Sequence, residues 1–272
     1  MTLSNIKAKK SLGQNFLSNP RILDKIISAA ELNKDDIILE IGPGRGDLTE
    51  KLSEKSDQVI AVEKDHRIIG GLQEKFRDTN VEIIEGDILK LDIGKLFENC
   101  KLKIENCDYK VIGNIPYYIT SNLLRTIFEK WPRPKLILLM VQKEVAQRVI
   151  ARPPDMNLLA LSVQIYSDPK IISYVSKGSF RPIPKVDSAI LRLIPKEEEI
   201  VDAGNIFFKV IKAGFLGKRK QLANNLSKNL GLDKEQAIEV LRKTGLDEKV
   251  RAENLSLEQW IKLSEYLQNY LS

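Results

Sequence analysis

Short apolar runs alternate with amphipathic segments through the first two thirds of the chain. Five of these runs have four to six residues, a length typical of β-strands, and they lie at 37–41, 58–62, 81–84, 109–113 and 136–141. Helical periodicity predicts helices that begin near residues 20, 47, 65 and 121. Strands that alternate with helices predict an α/β fold with a parallel sheet and right-handed crossovers. Two later extended segments, near 170–176 and 187–194, are candidates to complete that sheet.

The pattern changes after Pro195. Residues 196–199 are all charged and predict a linker. The rest of the chain predicts helices only, at about 204–216, 218–229, 233–243 and 256–270. We therefore expect two domains, an α/β domain over residues 1–195 and a small all-α domain over residues 196–272.

Composition narrows the class of protein. The chain has 272 residues, of which 43% are hydrophobic and 29% charged, an ordinary globular balance. No apolar run approaches the roughly 20 residues that cross a bilayer, and no apolar stretch follows the basic N-terminus, so we expect a cytoplasmic protein with no membrane contact. The single histidine, His66, argues against a histidine-based metal site or a Ser–His–Asp triad. The two cysteines, Cys100 and Cys107, cannot form a disulfide framework, and we expect both to be reduced.

The net charge of +6 is unevenly distributed. Residues 1–25, 125–152 and 170–196 are each strongly basic, whereas residues 197–272 carry twelve charges of each sign and the remaining stretches are acidic overall. Basic segments that flank an acidic one favour a nucleic-acid partner and a separate pocket for a small cofactor. Each basic run taken alone is also typical of a solvated surface.

A glycine-rich loop follows the first predicted strand. Gly42, Gly44 and Gly46 lie in the run E-I-G-P-G-R-G before a predicted helix, where glycine lets the backbone turn tightly and approach a ligand closely. Glu63 ends the second strand, 21 residues after Gly42, where a carboxylate can accept both hydroxyl protons of a ribose. We interpret these residues as part of a nucleoside-binding site, and a simple turn with an exposed acid is the alternative.

Two features favour S-adenosylmethionine over a nicotinamide dinucleotide. The loop has the pattern G-x-G-x-G rather than G-x-G-x-x-G, and Asp47 adds negative charge where a pyrophosphate would lie. Asp87 follows the third strand in the run G-D-I, where its carboxylate can accept the amino proton of an adenine.

The tetrapeptide N-I-P-Y at 114–117 follows the fourth strand and is expected to face the same crevice. The Asn114 side-chain oxygen can accept a proton from an exocyclic amine, and Pro116 rigidifies the turn and aims a backbone carbonyl at that amine. Tyr117 offers a flat face for stacking an unpaired base. Two acceptors around one amine would direct its lone pair at a methyl sulfonium, which is catalysis by position and electrostatics.

Together these motifs resemble a known family, the rRNA adenine dimethyltransferases that act on the small ribosomal subunit. The similarity covers nearly the whole chain and includes S-L-G-Q-N-F-L at 11–17, E-I-G-P-G at 40–44, V-E-K-D at 62–65, G-D-I at 86–88, N-I-P-Y at 114–117 and F-R-P-I-P-K-V-D-S-A at 180–189. Each motif alone is weak evidence, whereas their order and spacing together are specific.

The resemblance implies a Rossmann-like methyltransferase sheet, S-adenosylmethionine as the methyl donor and no metal. It implies cofactor contacts from Asn15, Leu17, Gly42, Glu63, Asp87 and Asn114, and the glycine loop adds Gly44 to them. It also implies that Phe180 sandwiches the target base against Tyr117. An aromatic residue of the core is the alternative interpretation of Phe180.

The implied substrate is a pair of adjacent adenosines in a hairpin loop near the 3′ end of 16S rRNA. Each would be dimethylated on its exocyclic amine late in the assembly of the small subunit, and we expect the enzyme to be a monomer. Two alternatives stay open. One is a large-subunit rRNA adenine methyltransferase of the macrolide-resistance type, which shares Q-N-F-L and N-I-P-Y, and the other is an assembly factor that acts mainly by docking.

Five basic residues are candidates for RNA contact. Arg148 and Arg152 are four residues apart, which predicts that they lie on one side of a helix after the fifth strand. Lys218, Arg219 and Lys220 are predicted to begin a helix of the second domain, and three adjacent cations suit phosphate contacts. A solvated or ion-paired surface is the alternative for both groups.

Overall fold

The computed structural model of the chain describes residues 3, 6–100, 102, 109–197, 203–217 and 219–271. The strands in this part of the chain are β1 (Phe16–Leu17), β2 (Ile37–Ile41), β3 (Gln58–Glu63), β4 (Val81–Glu85), β5 (Tyr109–Asn114), β6 (Leu136–Gln142), β7 (Ser167–Val175), β8 (Phe180–Arg181) and β9 (Ser188–Pro195). The helices are α1 (Pro20–Ala30), α2 (Asp47–Ser53), α3 (His66–Lys75), α4 (Ile93–Asn99), α5 (Thr120–Lys130), α6 (Lys143–Val149), α7 (Leu158–Gln164), α8 (Ala203–Phe215), α9 (Leu222–Leu230), α10 (Lys234–Lys243) and α11 (Leu257–Leu271).

The chain forms two compact units. The first consists of Met1–Ala146 and Asp168–Pro195, and the second of Gln147–Ser167 and Lys196–Ser272. One change of unit falls after Pro195. Residues 147–167 were expected in the α/β domain and belong to the helical unit, because Met156 and Leu161 pack in its hydrophobic core.

The first unit is built on a sheet with strand order β4-β3-β2-β5-β6-β9-β7. β2 pairs in parallel with β3 and β5, the outer neighbours β4 and β6 continue the parallel array, and β9 is antiparallel to β6. The α/β class and the five predicted strands are confirmed, and both later extended segments join the sheet as β7 and β9. This topology brings the carboxyl ends of β2, β3, β4 and β5 to one edge.

The central strands are nearly inaccessible to solvent, which explains their almost continuous apolar sequence. Leu39, Val111 and Ile137 lie on three neighbouring strands and have no exposed surface. Lys110 on β5 is the exception. Its ammonium lies 2.7 Å from a carboxylate oxygen of Asp36 and donates to two carbonyls at the end of α1, so its burial is compensated by a charge and by hydrogen bonds.

A second sheet of two short strands joins the N-terminal segment to the late motif. β1 is antiparallel to β8, with Leu17 opposite Phe180, and the Ser18 N–H donates to the Ser179 carbonyl at 2.9 Å. Strands of two residues carry no detectable alternation of polar and apolar positions, so periodicity did not predict this pairing.

The second unit packs its helices around Trp260. This side chain has no exposed surface, and its ring is stacked on that of Phe215 with 5.6 Å between the centroids. The helical character predicted after residue 195 is confirmed by α8 to α11.

Two helix boundaries in the basic regions were predicted wrongly. α6 ends at Val149, so Arg152 lies beyond the helix that carries Arg148. Arg152 directly precedes Pro153, and a residue before a proline is disfavoured in the helical conformation.

The second wrong boundary is the start of α9, which begins at Leu222 rather than near 218. Arg219 and Lys220 lie in the preceding turn, where the Lys220 N–H donates to the Gly217 carbonyl at 2.9 Å. Because this hydrogen bond closes a turn over residues 217–220, the helix begins only after that turn, at Leu222. Lys218 lies outside the described residues.

Candidate active site

An open pocket lies at the carboxyl ends of β2, β3, β4 and β5. Pro116 and Tyr117 of the tetrapeptide line it. The seven positions predicted to contact the cofactor line it as well: Asn15, Leu17, Gly42, Gly44, Glu63, Asp87 and Asn114.

The glycine loop turns the chain from β2 into α2. Gly42 and Gly44 adopt positive φ angles of 71° and 58°, a conformation that favours glycine. A Cβ atom on Gly44 would lie 3.0 Å from the Phe16 ring, so this glycine also lets the N-terminal segment approach the loop closely. The loop and the N-terminal segment thereby form adjacent walls of the pocket.

Glu63 is buried at the end of β3 and its carboxylate is held by backbone donors. One oxygen accepts from the N–H groups of Lys64 and Asp65, both at 2.8 Å, and the other accepts from Gly44 at 3.3 Å. Burial raises the pKa of Glu63, while these hydrogen bonds act in the opposite direction. The backbone donors use both lone pairs of Oε1 and one of Oε2, so Oε2 keeps a fixed lone pair that suits a hydroxyl donor of a ligand.

Glu40 is a pocket residue that the sequence interpretation missed. Its side chain is only 1% exposed, it lines the pocket, and its Oε2 atom has no hydrogen-bond partner among the described residues. Burial, with a smaller contribution from the charge of Glu63, raises the pKa of Glu40 to about 8. The sequence did contain a signal for Glu40, because it lies at the end of β2 and two residues before Gly42.

Asp87 is paired with Lys64, which the sequence interpretation also missed. The Lys64 ammonium lies 2.8 Å from one Asp87 carboxylate oxygen, and the Leu89 N–H donates to the other at 3.2 Å. The hydrogen bond from Lys64 is the main reason that the pKa of Asp87 is lowered. Asp87 is therefore an ionised acceptor at the rim of the pocket.

Asn114 is the last residue of β5, and its amide has a defined orientation. Its Nδ2 atom donates to the Asn15 carbonyl at 2.9 Å. Because a carbonyl oxygen only accepts hydrogen bonds, the amide must present its NH₂ group to Asn15, which leaves Oδ1 as a free acceptor. The Pro116 carbonyl accepts from the Ile119 N–H at 3.2 Å in the adjoining 3-10 turn and retains one lone pair.

Tyr117 is half-buried and is held through its hydroxyl group. The hydroxyl lies 2.6 Å from that of Ser188, a fully buried residue at the start of β9. Burial raises the pKa of Tyr117, so the phenol is neutral at physiological pH. The hydrogen bond fixes the direction of the ring from its far end.

Phe180 does not lie at the pocket, which corrects the expectation that its ring is presented to a base. Its side chain has no exposed surface and belongs to the hydrophobic core with Leu17, Val175 and Ile190. The reason is the pairing of β8 with β1, which directs the ring into the sheet–helix core. Phe180 is therefore an aromatic residue of the core in this structure.

The basic candidates for RNA contact that the structure describes do not line the pocket. These four are exposed residues of the second unit: Arg148, Arg152, Arg219 and Lys220. The fifth, Lys218, lies outside the described residues, as does Cys107. Cys100 is a free cysteine. In the described part of the chain, no group of three or more His, Cys, Asp or Glu residues is arranged to hold a metal ion. None of the helices found there combines the length and the apolar character that crossing a membrane requires.

The donor and acceptor set of the pocket fits S-adenosylmethionine. Glu40, Glu63 and Asp87 place three carboxyl groups around it, one of them with an unpartnered buried oxygen. The cofactor carries a sulfonium, an ammonium, two ribose hydroxyls and an adenine amine, all of which are attracted to such acceptors. A pyrophosphate would face like charge in the same place.

Comparisons with known proteins identify a family. The family model described as ribosomal RNA adenine dimethylase matches residues 5–269. Ribosomal RNA small subunit methyltransferase A of Dehalococcoides mccartyi is 42% identical over 268 residues, which cover 97% of this chain and 90% of that protein. The protein of that name from Clostridioides difficile is 38% identical, with 98% and 93% coverage.

Two solved structures are similar over nearly the whole chain. A dimethyladenosine transferase from Plasmodium falciparum has a TM-score of 0.80 and 31% identity, covering 93% of this chain and 98% of that one. The 23S rRNA methyltransferase ErmE has a TM-score of 0.73 and 26% identity, covering 93% and 100%.

Proposed function

This chain belongs to the ribosomal RNA adenine dimethylase family, and on that premise we propose how its residues perform the reaction. The protein is an S-adenosylmethionine-dependent rRNA adenine dimethyltransferase. Its relatives at 38% and 42% identity are small-subunit enzymes, whereas the similar large-subunit enzyme is 26% identical, so small-subunit 16S rRNA is the substrate.

We assign the cofactor to the pocket at the edge of the sheet. When bound there, S-adenosylmethionine supplies an electrophilic methyl group. Glu63 accepts a ribose hydroxyl proton through Oε2, and Asp87 accepts an adenine amino proton. The remaining contacts come from the walls of the pocket: Asn15, Leu17, Gly42 and Gly44.

Asn114 and Pro116 activate the target adenine. Asn114 Oδ1 and the Pro116 carbonyl accept the two protons of its exocyclic amine, which withdraws the nitrogen lone pair from conjugation with the ring. As the nitrogen gains a bond it becomes positive, and the same two oxygens stabilise that charge. The amine proton then leaves to solvent, so no strong general base is needed, and Tyr117 stacks on the base to hold it in line.

One observation carries this assignment. The Asn15 carbonyl accepts from Asn114 Nδ2, so the amide keeps Oδ1 as the atom available to the amine. The reverse orientation would present a donor to a donor and would repel the substrate.

We further propose that the helical unit contacts rRNA through its exposed cations. The positions are Arg148, Arg152, Lys218, Arg219 and Lys220. Exposure and positive charge support phosphate contact for the four that are described. We propose that the enzyme acts as a monomer in the cytoplasm, and light scattering of the purified protein tests the first of these points.

The direct test uses isotopically labelled S-adenosylmethionine with undermethylated small subunits and, separately, with large-subunit precursors. Products are mapped by nuclease digestion and mass spectrometry. Dimethyladenosine at adjacent positions near the 3′ end of 16S rRNA is the expected result. Label in the large subunit would move the protein to the resistance type, and cofactor binding without transfer to either subunit would favour a docking factor.

A further inference from the structure

The orientation of the Asn114 amide depends on a carbonyl that belongs to another part of the chain. The Asn15 carbonyl, 99 residues earlier, accepts the Nδ2 proton at 2.9 Å. A shift of this carbonyl would release the amide and allow it to rotate. Residues that fix the peptide after Asn15 therefore control which atom of Asn114 faces the pocket.

That peptide is anchored on both sides. On the N-terminal side, Gln14 Nε2 donates to an Asp65 carboxylate oxygen at 2.8 Å. On the C-terminal side, Phe16 pairs with Arg181 between β1 and β8, and the Arg45 guanidinium lies 4.8 Å from the centre of the Phe16 ring. The two anchors hold the Asn15 carbonyl between them.

Asp65 is a rigid anchor for Gln14. Its side chain is fully buried, caps the start of α3, and accepts from Arg67 Nε at 2.8 Å and Nη2 at 2.5 Å. The Asp65 N–H also donates to Glu63 at 2.8 Å. Asp65 therefore contacts both Glu63, the acid assigned to the ribose, and Gln14, which belongs to the N-terminal segment.

We propose that Gln14 is a positioning residue for catalysis, which holds the Asn15 carbonyl against Asn114 Nδ2 through its tether to Asp65. This inference rests on the proposed function of Asn114. The chain of contacts runs from Arg67 through Asp65 and Gln14 to the Asn114 amide. Gln14 acts through Asn114 and needs no contact with the target base.

The side-chain amide of Asn114 reports this role without any turnover. In the cofactor-free full-length protein, its nitrogen–proton signals are assigned by their loss in Asn114→Asp. We expect one Nδ2 proton to be protected from exchange with water in the wild type, and Gln14→Ala to reduce that protection about tenfold, as for loss of one hydrogen bond. Gln73→Ala, an exposed glutamine of α3, is the matched control and should leave the signal unchanged.

Introduction of a negative charge at the tether provides a rescue test. Gln14→Glu places a carboxylate against that of Asp65 and should slow single-turnover transfer more than Gln14→Ala does. Asp65→Asn removes the like charge and offers that glutamate a donor, although its amide also meets the Arg67 donor, so the double variant should transfer faster than Gln14→Glu, whereas Asp65→Asn should not rescue Gln14→Ala. The dissociation constant for S-adenosylmethionine should change less than about threefold in Gln14→Ala.

Two results would overturn the proposal. One is an unchanged Asn114 amide signal in Gln14→Ala, and the other is a rate loss fully explained by weaker cofactor binding. Failure of the proposed function is a separate result, because it would appear as absence of transfer by the wild type while the amide measurement remains valid.

Discussion

The hydroxyl of Tyr117 lies 2.6 Å from the hydroxyl of Ser188, so the catalytic loop after β5 is fixed to the antiparallel strand β9. Removal of either hydroxyl breaks the same bond. We expect Tyr117→Phe and Ser188→Ala each to lower the single-turnover rate about fivefold, corresponding to roughly 1 kcal/mol for a hydrogen bond.

The double variant tests whether the two substitutions slow transfer through loss of the same hydrogen bond. It should be no slower than the slower single variant, and additive losses would contradict the assigned role of the bond. Tyr117→Ala should be slower still, because it also removes base stacking worth roughly 1–3 kcal/mol.

Asn114→Ala should abolish measurable methyl transfer while S-adenosylmethionine affinity stays within about tenfold. The variant removes the acceptor for the target amine, but Glu63 and Asp87 remain in place to hold the cofactor. Calorimetry for binding and a labelled-methyl assay for transfer separate the two effects. Normal turnover by the variant would refute the role assigned to Asn114.

Glu40 should couple cofactor binding to proton release. Its pKa of about 8 means that it is largely protonated at pH 7 in the cofactor-free protein, and a cation bound beside it favours the carboxylate. We expect wild-type binding at pH 7 to release a proton, measured by calorimetry in two buffers of different ionisation enthalpy. Glu40→Gln should lose this release, and an equal release in both proteins would exclude Glu40 as its source.

Glu40 should also make stability depend on pH. Its folded pKa lies above the value of 4.5 expected when unfolded, so the native state retains the proton longer. The contribution of Glu40 to stability is greatest below pH 4.5, falls as pH rises to about 8, and is constant above that. Glu40→Gln should therefore raise the free energy of unfolding relative to wild type at pH 8 but not at pH 4, as measured by urea denaturation of cofactor-free protein.

Gly214 in α8 should not tolerate a side chain. A Cβ atom there would lie 2.4 Å from the buried Trp260 ring, so Gly214→Ala should destabilise the protein by about 1–3 kcal/mol. Gly70→Ala in α3 is the matched control, because a Cβ there has nothing within 4 Å and alanine favours a helix by roughly 0.5–1 kcal/mol. Denaturant midpoints of the two variants should shift in opposite directions.

Arg219 and Lys220 should contribute salt-dependent binding to small subunits. Alanine at either position should weaken binding and reduce the slope of log K against log salt by about one, since one phosphate contact is lost. Lys234→Ala, an exposed cation at the start of α10, is the control. An unchanged slope in both Arg219→Ala and Lys220→Ala would assign those residues to the solvated surface.

The sequence by itself determined the main strands, the α/β class and the strand ends at which the pocket was expected. Apolar runs of strand length predicted β2 to β6, because strands that lie between helix layers are buried on both faces. Parallel strands end at the same edge, so Glu63, Asp87 and Asn114 could be placed together from their positions at strand ends alone.

Only the tertiary structure decided which way individual side chains point and what they contact. Phe180 faces the core because β8 pairs with β1, Asn114 has a defined amide orientation because the Asn15 carbonyl lies beside it, and Lys64 is paired with Asp87. Residues 147–167 pack with the helical unit although a strand precedes them. Such contacts join residues that are distant in the chain, and local periodicity carries no information about the register or direction that brings them together.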